Sequence, residues 1–366
     1  MFKEDMIKNN RTLILTQGDI QQIASIVGIN DIMGELIGQL KEALVNFDPN
    51  KTQIPARSGF NYTEPNTGLI EWMPLYEKGD EVVIKLVGYH PSNPTKYKLP
   101  TIISSLSAYD TKTGHLLGLM DGVLPTALRT GAASAVATEL LAKPESRTLG
   151  LIGCGAQSVT QIHAISCFFS LKHIYVYDID TANAKSLQKR CSAINLEAEI
   201  KMASLEKVVS EADILCTATS IGVGQGPLFD NINTKDHIHI NALGSDFPGK
   251  TELPLSLLKR SFVCPDFVDQ SIVEGECQQL EESEIGPDWI EIIKNPQRYQ
   301  NYQSMRTVFD STGWALEDKV VMDLFLNYAK ELNIGQFLDI EMLPKDALNP
   351  YEFIKQESAW LKNVNF

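Results

Sequence analysis

A glycine-rich segment near the middle of the chain has the spacing of a phosphate-binding turn. Gly153, Gly155 and Ser158 form a G-x-G-x-x-S pattern directly after the apolar segment 149–152, and the helical sequence VTQIHAISCFF follows. In such a turn the first glycine permits the tight bend, and the second lets the backbone approach a pyrophosphate held by the helix N-terminus. Ser158 is small enough for close helix packing, and its hydroxyl could also donate to a phosphate. The alternative is an ordinary turn without a cofactor, so the neighbouring residues decide the meaning of the pattern.

An acidic residue at the end of the next strand indicates that the ligand is a dinucleotide. Asp178 ends the apolar sequence HIYVYD, 23 positions beyond Gly155, where a carboxylate can accept both hydroxyl groups of a ribose. Asp180 adds a second negative charge and no arginine follows immediately, so a 2′-phosphate would be repelled. We therefore predict NAD(H), rather than NADP(H), as the cofactor. The alternative is that Asp178 is only a surface residue of a turn.

Four further ionisable residues stand in otherwise apolar or tightly turning segments. They are Glu71 in LIEWMP, Lys85 in VVIKLVGYHP, Arg129 in PTALRTGAAS and Asp246 in NALGSDFPGK. Each has an ordinary structural alternative, such as the wet face of an edge strand, a helix cap or a turn. Asp246 is the most informative, because it follows the apolar strand HIHINALG and ligands of open parallel sheets bind beyond the carboxyl ends of the strands.

Two different patterns of elements must position these residues. A helical pattern from Asp31 is followed by the strands GLIEWMPLY, EVVIKLVGY, TIISSLSAY and HLLGLMDG, the last two joined by the turn sequence DTKTG. This is an α+β region with antiparallel pairing. After Leu124, the helix PTALRTGAASAVATELLA leads into short strands that alternate with helices, which is typical of a doubly wound parallel sheet. A long helical stretch from about Asp310 follows that completed sheet, so we expect it to return to the first domain.

The length of the chain supports two domains. At 366 residues it exceeds the ~250–300 residues that one core usually serves. We predict an α/β protein with a Rossmann-type doubly wound parallel sheet domain plus an α+β domain. The Rossmann domain should cover residues 131–317, and the second domain should combine residues 1–130 with residues 318–366.

Composition and charge exclude several classes of protein. The formal charge of −14 disfavours binding to nucleic acid or to anionic membranes, because those partners need clustered lysine and arginine. The first ten residues, MFKEDMIKNN, lack the apolar core of a signal peptide, and we expect a cytoplasmic protein. The six cysteines are scattered without a C-x-x-C pair, and no cluster has the spacing of metal ligands, so we predict no metal.

Seven segments together resemble the ornithine cyclodeaminase/mu-crystallin family along nearly the whole chain. They are IEWMP, IKLVGYHP, ALRTGAASAVAT, LIGCGAQS, NALGSDFPGKTEL, EGECQQL and VFDSTGWALED. The segments GSDFPGKTEL and FDSTGWALED are most similar to the bacterial ornithine cyclodeaminases of that family. The resemblance implies a Rossmann domain and a substrate-binding domain whose sheets pair across a homodimer, so residues 1–130 and 318–366 would form the substrate-binding and dimerisation domain.

The resemblance also implies roles for residues of a substrate site. Arg57, Lys85 and Arg129 would bind the α-carboxylate of an amino acid, and Glu71 would meet an amino group. Asp246 would be the acid/base residue. The implied catalytic residues are thus Asp246, Glu71 and Lys85.

The cofactor residues follow in the same way. The resemblance implies that Thr130, Gln157 and Ser158 contact cofactor phosphates and that Lys250 lies near the nicotinamide. The complete set of implied NAD-binding residues is Thr130, Gly153, Gly155, Ala156, Gln157, Ser158, Asp178, Thr217 and Lys250.

The activity implied by the resemblance is conversion of L-ornithine to L-proline and ammonia. It would proceed by oxidation at Cα, ring closure by the δ-amino group, loss of ammonia and re-reduction of the cyclic imine. One alternative is an oxidoreductase of the same family, a ketimine reductase or an amino-acid or imine dehydrogenase. A non-catalytic binding protein is a third possibility, which the presence of Lys85, Arg129 and Asp246 disfavours. The sequence does not separate ornithine from lysine, because one methylene in a pocket contributes only about 1–3 kcal/mol.

Overall fold

The structure is a computed structural model that describes residues 11–230 and 233–352. The first of its two sheets has eight strands, in the order β15-β1-β7-β6-β5-β4-β2, and β3 pairs with β4 outside this path. Its strands are β1 (Thr12–Leu15), β2 (Thr52–Gln53), β3 (Ser58–Tyr62), β4 (Gly68–Glu77), β5 (Glu81–Tyr89), β6 (Ile102–Asp110), β7 (Leu116–Asp121) and β15 (Gln336–Leu338).

The second sheet has seven strands in the order β10-β9-β8-β11-β12-β14-β13, and every neighbouring pair is parallel. Its central strands are short and buried, as expected of a sheet covered on both faces, whereas the edge strand Ile200–Met202 is largely exposed. The seven strands are β8 (Thr148–Ile152), β9 (His173–Tyr177), β10 (Ile200–Met202), β11 (Ile214–Thr217), β12 (His239–Ala242), β13 (Phe262–Pro265) and β14 (Thr307–Asp310).

Twelve α-helices lie in the part of the chain that the structure describes. They are α1 (Gln17–Val27), α2 (Ile29–Asn46), α3 (Asn93–Lys96), α4 (Val123–Leu141), α5 (Ala156–Ser166), α6 (Thr181–Arg190), α7 (Leu205–Glu211), α8 (Leu255–Leu258), α9 (Val268–Glu274), α10 (Trp289–Lys294), α11 (Pro296–Tyr299) and α12 (Ala315–Leu332).

Helix α4 connects the two sheets. It packs against α2 and α12 on the side of the first sheet and against α5 on the side of the parallel sheet. Helix α12 packs against α2, β4 and β5, which confirms that the last long helix returns to the first region of the chain. The core between these helices and the first sheet includes fully buried leucines, and burying one such side chain contributes roughly 1.5–3 kcal/mol.

The predicted fold class is confirmed. The four strands proposed for the first region are β4 to β7, and neighbours in that set are antiparallel. Strand β1 instead runs parallel to β7, because no short hairpin joins these distant segments and sets their direction. Seven further strands were not predicted, namely β1, β2, β3, β10, β13, β14 and β15. Strand β3, SGFNY, is exposed and lacks an alternating apolar pattern. The proposed domain limits fall inside α4 and α12, and that division stays a prediction.

Two segments named in the predictions lie outside the described residues. They are the first ten residues, for which we expect no signal peptide, and residues 353–366 of the second proposed domain. Within the described ranges, no single helix is long and apolar enough to cross a membrane. The pair Gln17–Val27 and Ile29–Asn46 meets those criteria jointly, but its two helices are bent by 96°. The cytoplasmic location stays a prediction.

Candidate active site

Glu71 and Lys85 lie on the buried face of the first sheet. The antiparallel register of β4 and β5 pairs Glu71 with Val87 and Met73 with Lys85. Because every second residue of a strand points to the same face, these four side chains share one side of the sheet. Glu71 is 9% exposed and Lys85 only 1%. A lysine that is almost fully buried requires partners of opposite charge.

The first turn of α12 supplies those partners. The Nζ atom of Lys85 lies 2.9 Å from Oδ1 and 2.8 Å from Oδ2 of Asp318. Arg129, which points from α4 into the same region, has its Nε 3.1 Å from Asp318 Oδ1 and its Nη1 2.7 Å from Oε2 of Glu317. Lys85 and Arg129, predicted to bind one carboxylate, are therefore already arranged around shared carboxylate oxygens.

Arg57 joins the same region from the segment before β3. Its Nη2 lies 2.5 Å from Oε1 of Glu274 and donates to the carbonyl of Thr312 at 2.5 Å. Its Nη1 lies 3.6 Å from Oε2 of Glu71. Arg57 therefore contacts elements of both sheets, since Glu274 ends α9 and Thr312 follows β14.

Asp246 lies beyond the carboxyl end of β12, as predicted. Nζ of Lys250 is 2.5 Å from Oδ1 of Asp246 and lies 5.2 Å from the centre of the Tyr89 ring. Tyr89 is the last residue of β5, so the first sheet reaches the loop that carries Asp246. The Asp246 side chain is 33% exposed, which leaves it accessible to a small molecule.

Electrostatic effects connect these groups. Burial raises the pKa of Glu71, and the charges of Arg57, Asp246 and Lys85 also act on it. Burial and the neighbouring Arg129 lower the pKa of Lys85 to about 8, while Asp318 opposes that shift. Burial likewise raises the pKa of Glu274 to about 7, although Arg57 favours its ionised form. The residues predicted for substrate binding and catalysis thus come together in one charged region between the two sheets.

A glycine allows Arg129 to occupy this position. Gly313 follows β14 with a φ of 87°, which side chains rarely tolerate, and a Cβ there would lie 2.8 Å from Arg129 Nη1. Its backbone N–H donates to the buried carboxylate of Asp266 at 2.7 Å. The backbone at Gly313 therefore packs directly beside the guanidinium.

The glycine-rich turn has the geometry of a dinucleotide site. Gly153 has a φ of 91°, and a Cβ there would lie 2.5 Å from the carbonyl oxygen of Ala218. Gly155 precedes α5, with open space where its side chain would be. No side chain caps that helix, so its first N–H groups remain available to an anion. These residues fit a bound pyrophosphate, and Ala156 begins the helix that would hold it.

Asp178 is fixed beside this turn. Its Oδ2 accepts from the backbone N–H of Cys154 at 2.7 Å, and its Oδ1 accepts from that of Asp180 at 2.7 Å. A carboxylate oxygen has two lone pairs, so both oxygens retain capacity for a ribose hydroxyl. The position of Asp178 is therefore compatible with the predicted recognition of an adenosine ribose.

Arg190, the last residue of α6, stabilises the glycine-rich turn by hydrogen bonds to its backbone carbonyls. It donates to the carbonyls of Cys154 at 2.6 Å, Gly155 at 3.0 Å and Asn183 at 2.8 Å. Because those two loop carbonyls point to Arg190, the loop is held in one orientation. The sequence gives no reason to single out Arg190, which ends a polar helix.

Two predicted cofactor residues are placed differently from expectation. Ser158 is fully buried, and its hydroxyl donates to the carbonyl of Gly153 at 2.5 Å, so it closes the turn instead of facing a phosphate. Thr217 is also fully buried at the end of β11. Both side chains are buried within the parallel sheet and its first helix, and their predicted cofactor contacts stay predictions.

Thr130 and Gln157 make local hydrogen bonds. The Thr130 hydroxyl donates to the carbonyl of Thr126 within α4 at 2.9 Å. Oε1 of Gln157 accepts from the Thr160 hydroxyl at 3.0 Å. Their predicted phosphate contacts, like the predicted approach of Lys250 to the nicotinamide, stay predictions.

Buried carboxylates fix the loops around Asp246. Glu252 is fully buried; its Oε1 accepts from the N–H of Thr219 at 2.9 Å, and its Oε2 from the N–H of Gly244 at 2.9 Å. Glu276 in turn accepts from the N–H of Glu252 at 2.7 Å. Asp310, which ends β14, accepts from the N–H of Glu276 at 2.8 Å. These links tie the loops after β11 and β12 to the interior of the sheet.

Asp318, Glu274 and Glu252 are among the acidic residues of this region that were not predicted as site residues. Asp318 and Glu274 lie in WALED and EGECQQL, segments that carried the family resemblance, and Glu252 lies in GKTEL. A carboxylate inside an apolar or tightly turning segment was the available signal. The same signal singled out Glu71 and Asp246, and it also applies to Asp318, Glu274 and Glu252.

The fold and the site define a two-sheet protein with a dinucleotide-binding domain and an adjoining cluster of buried cations and carboxylates. Residues 17–332 match the model of the ornithine cyclodeaminase/mu-crystallin family. The chain is 40% identical to an L-lysine cyclodeaminase of Streptomyces rapamycinicus, over 93% of this chain and 99% of that protein. It is 32% identical to an ornithine cyclodeaminase of Agrobacterium fabrum, over 82% of each chain. The chain belongs to the ornithine cyclodeaminase/mu-crystallin family.

Two solved structures extend the comparison. A lysine cyclodeaminase, studied for recognition of L-lysine, L-ornithine and L-2,4-diaminobutyric acid, is 44% identical and has a TM-score of 0.90, over 93% of this chain and 99% of that one. An archaeal alanine dehydrogenase dimer with bound NAD is 28% identical and has a TM-score of 0.77, over 90% of this chain and 100% of that one. The prediction of NAD as the cofactor is confirmed by this similarity together with the fit of the glycine-rich turn.

Proposed function

We propose that the protein is an NAD-dependent cyclodeaminase of L-diamino acids. The observation that carries the proposal is the convergence of Arg57, Lys85, Arg129 and Asp246 in one charged region, where Asp246 lies at the same carboxyl edge of the parallel sheet as the dinucleotide turn. Three cations suit a carboxylate, and the accessible carboxylate of Asp246 suits an amine. The similarity to lysine and ornithine cyclodeaminases supports the same reaction class.

The proposed reaction assigns a task to each side chain. Lys85 and Arg129 hold the substrate carboxylate, and Arg57 contributes a third positive charge; this fixes Cα and supplies much of the rate by positioning. NAD, when bound, supplies the acceptor for the Cα hydride and its later return. Glu71 meets an amino group of the substrate. Asp246 takes the proton of the distal amine, whose freed lone pair attacks Cα within the same molecule.

Ring closure determines the products. In ornithine the δ-amine forms a five-membered ring, ammonia leaves from Cα, and L-proline results. In lysine the ε-amine would form the six-membered analogue. We keep ornithine as the proposed substrate, and the 40% identity to an L-lysine cyclodeaminase makes lysine the substrate to compare directly.

The test uses ornithine deuterated at Cα with a catalytic amount of NAD⁺. We expect proline that retains the deuterium at Cα, one ammonia for each proline, and many turnovers for each NAD⁺. Parallel reactions with lysine, at equal concentration, rank the two substrates by kcat/KM. Higher kcat/KM for lysine would reassign the substrate but keep the cyclodeaminase class.

A second candidate is a net oxidoreductase of the same family, which the similarity to an alanine dehydrogenase favours. Such an enzyme would release NADH in a 1:1 ratio with the amino acid consumed, or would consume NADH with a cyclic imine and leave ornithine unchanged. NADH release at that ratio in the deuterium experiment, or NADH consumption in a separate assay with NADH and the cyclic imine while ornithine stays unchanged, would replace the cyclodeaminase proposal.

We also propose a homodimer formed through the first sheet. The face opposite Glu71 and Lys85 exposes apolar side chains on adjacent strands, including Ile70 at 40%, Leu86 at 46% and Ile103 at 43%. Contiguous apolar surface of this kind marks an interface. We expect Leu86→Asp to yield monomers in light scattering, whereas Ile26→Asp, on the exposed side of α1, should leave the dimer intact. A monomeric wild-type protein would contradict this assembly.

A further inference from the structure

We infer that Asp318 is a positioning residue that keeps the Lys85 ammonium charged and oriented toward the substrate carboxylate. This inference rests on the proposed function, since it takes Lys85 as part of the carboxylate site. It adds a residue of α12 to a site whose predicted members come from other elements of the chain.

The geometry around Lys85 requires such a partner. Both oxygens of Asp318 lie within 2.9 Å of Nζ, and both side chains are 1% exposed. Asp318 also lies 3.1 Å from Nε of Arg129, so one carboxylate sets the separation of the two cations. Burial disfavours the charged form of a lysine, so a buried ammonium without an anion beside it would lose its proton.

The other charges around Lys85 do not replace Asp318. Arg129 on α4 and Arg57 before β3 are cations and favour the neutral lysine. Glu71 on β4 also interacts with Lys85, but it lies 3.6 Å from Arg57 and its own burial favours the neutral acid. Glu317, next to Asp318 on α12, pairs with Arg129 instead. Asp318 is therefore the carboxylate whose hydrogen bonds and charge support ionised Lys85 directly.

The pairing also gives Lys85 a pH-dependent function. With a pKa of about 8, the ammonium binds a carboxylate below that pH and loses this ability as the pH rises. Without Asp318 the pKa would fall further, and each unit corresponds to about a tenfold change in the protonated fraction above the midpoint. Asp318 also competes with the substrate for Nζ, so its removal strengthens carboxylate binding at pH 6.

The experiment measures binding of pentanoate to the enzyme–NADH complex by titration of NADH fluorescence from pH 6 to pH 9. Pentanoate has a carboxylate and no amine, so its own ionisation does not change over this range. The wild-type Kd should increase above about pH 8. For Asp318→Asn we expect an equal or lower Kd at pH 6, at least about a fivefold higher Kd at pH 8, and a midpoint at least about one pH unit lower.

Glu317→Gln is the matched control, because Glu317 pairs with Arg129, which does not titrate here. For Glu317→Gln the Kd should still increase above about pH 8, because the Lys85–Asp318 pair remains intact. At lower pH its profile also loses the titration of Glu317 itself, whose pKa burial raises to about 7. Lys85→Arg provides a test if Asp318→Asn does not fold, since a permanent cation should abolish the loss of binding near pH 8.

The outcomes separate this inference from the proposed function. A wild-type midpoint in Asp318→Asn, weaker binding at all pH values in that variant, or a persistent midpoint in Lys85→Arg would overturn the role of Asp318. None of these results depends on turnover. Failure of the wild-type enzyme to cyclise a diamino acid would instead overturn the proposed reaction.

Discussion

The two halves of the molecule use buried charge in different ways. In the substrate half, formed by the first sheet with α4 and α12, the cations Lys85 and Arg129 pair with the side chains of Asp318 and Glu317. In the cofactor half, formed by the parallel sheet and its loops, Glu252 and its linked carboxylates accept from backbone N–H groups.

This difference separates exchangeable from fixed interactions. A cation paired with a carboxylate side chain can share its N–H donors with the carboxylate of a substrate, because the two acceptors are chemically alike. A carboxylate bound to backbone N–H groups has no such partner to exchange, and it fixes the conformation of a loop. The substrate half is thus arranged to respond to a ligand, and the cofactor half to hold reactive groups in place.

The largest effect is expected where the two halves meet. Asp246→Asn should keep the fold and NADH affinity but lower kcat by about 10²–10⁴-fold, because an amide cannot take the proton of the substrate amine. Steady-state kinetics and NADH titration check this expectation. Near-normal turnover would remove Asp246 from the acid/base role.

A second variant tests the cofactor half at its ribose contact. Asp178→Ser removes a charged hydrogen-bond acceptor, worth about 1.5–3 kcal/mol, and should weaken NAD⁺ binding by roughly 10–150-fold. NADP⁺ should improve relative to NAD⁺, since a charge that repels the 2′-phosphate is lost. Calorimetric titration with each cofactor measures the ratio of the Kd values for NAD⁺ and NADP⁺. Unchanged affinities would contradict the assignment of Asp178.

A third variant tests whether fixed carboxylates control the reactive loop. In Glu252→Gln an amide NH₂ would face the N–H of Thr219 or of Gly244, and leaving one buried donor unsatisfied costs about 1–3 kcal/mol. We expect the free energy of unfolding, measured in urea, to fall by that amount. We also expect a lower kcat, because the loop that carries Asp246 would shift. Thr219→Val, which removes the hydroxyl that donates to Glu252 and accepts from the N–H of Ile221 at 3.3 Å, should lose about 0.5–1.5 kcal/mol. A stability loss in Glu252→Gln with unchanged kcat would limit Glu252 to a structural role.

The smallest effect is expected at Arg190, which donates to the carbonyls of the glycine-rich turn. Arg190→Met keeps much of the side-chain length but removes donors to the loop carbonyls, so NADH affinity should fall by a factor that corresponds to about 0.5–1.5 kcal/mol. Arg190→Lys should recover part of that loss. If both variants bind NADH like the wild type, the turn is held without Arg190.

Local signals explain what could be predicted from the sequence. The turn at Gly153 and the carboxylate of Asp178 belong to a strand–turn–helix–strand unit that is readable along the chain. Lys85 and Asp246 stood out because each interrupts an apolar or tightly turning segment. The apolar strands around them also sufficed for the fold class.

The remaining residues depend on contacts that are distant in sequence. Lys85 and Asp318 are 233 positions apart, and Thr219 and Glu252 are 33 positions apart. Nothing local to either partner specifies the other, and strand β14, which lies between β12 and β13, was itself not predicted. The inward orientation of Ser158 and Thr217 depends likewise on how the first helix and β11 pack in the sheet.

The close packing of Gly313 beside Arg129 has an evolutionary consequence. Any larger residue at this position would displace the guanidinium as well as strain the backbone. A gene duplicate that no longer needed to bind an amino-acid carboxylate would be free of this restriction. A replaced glycine at the position of Gly313 would therefore identify relatives that have lost the substrate while retaining the dinucleotide fold.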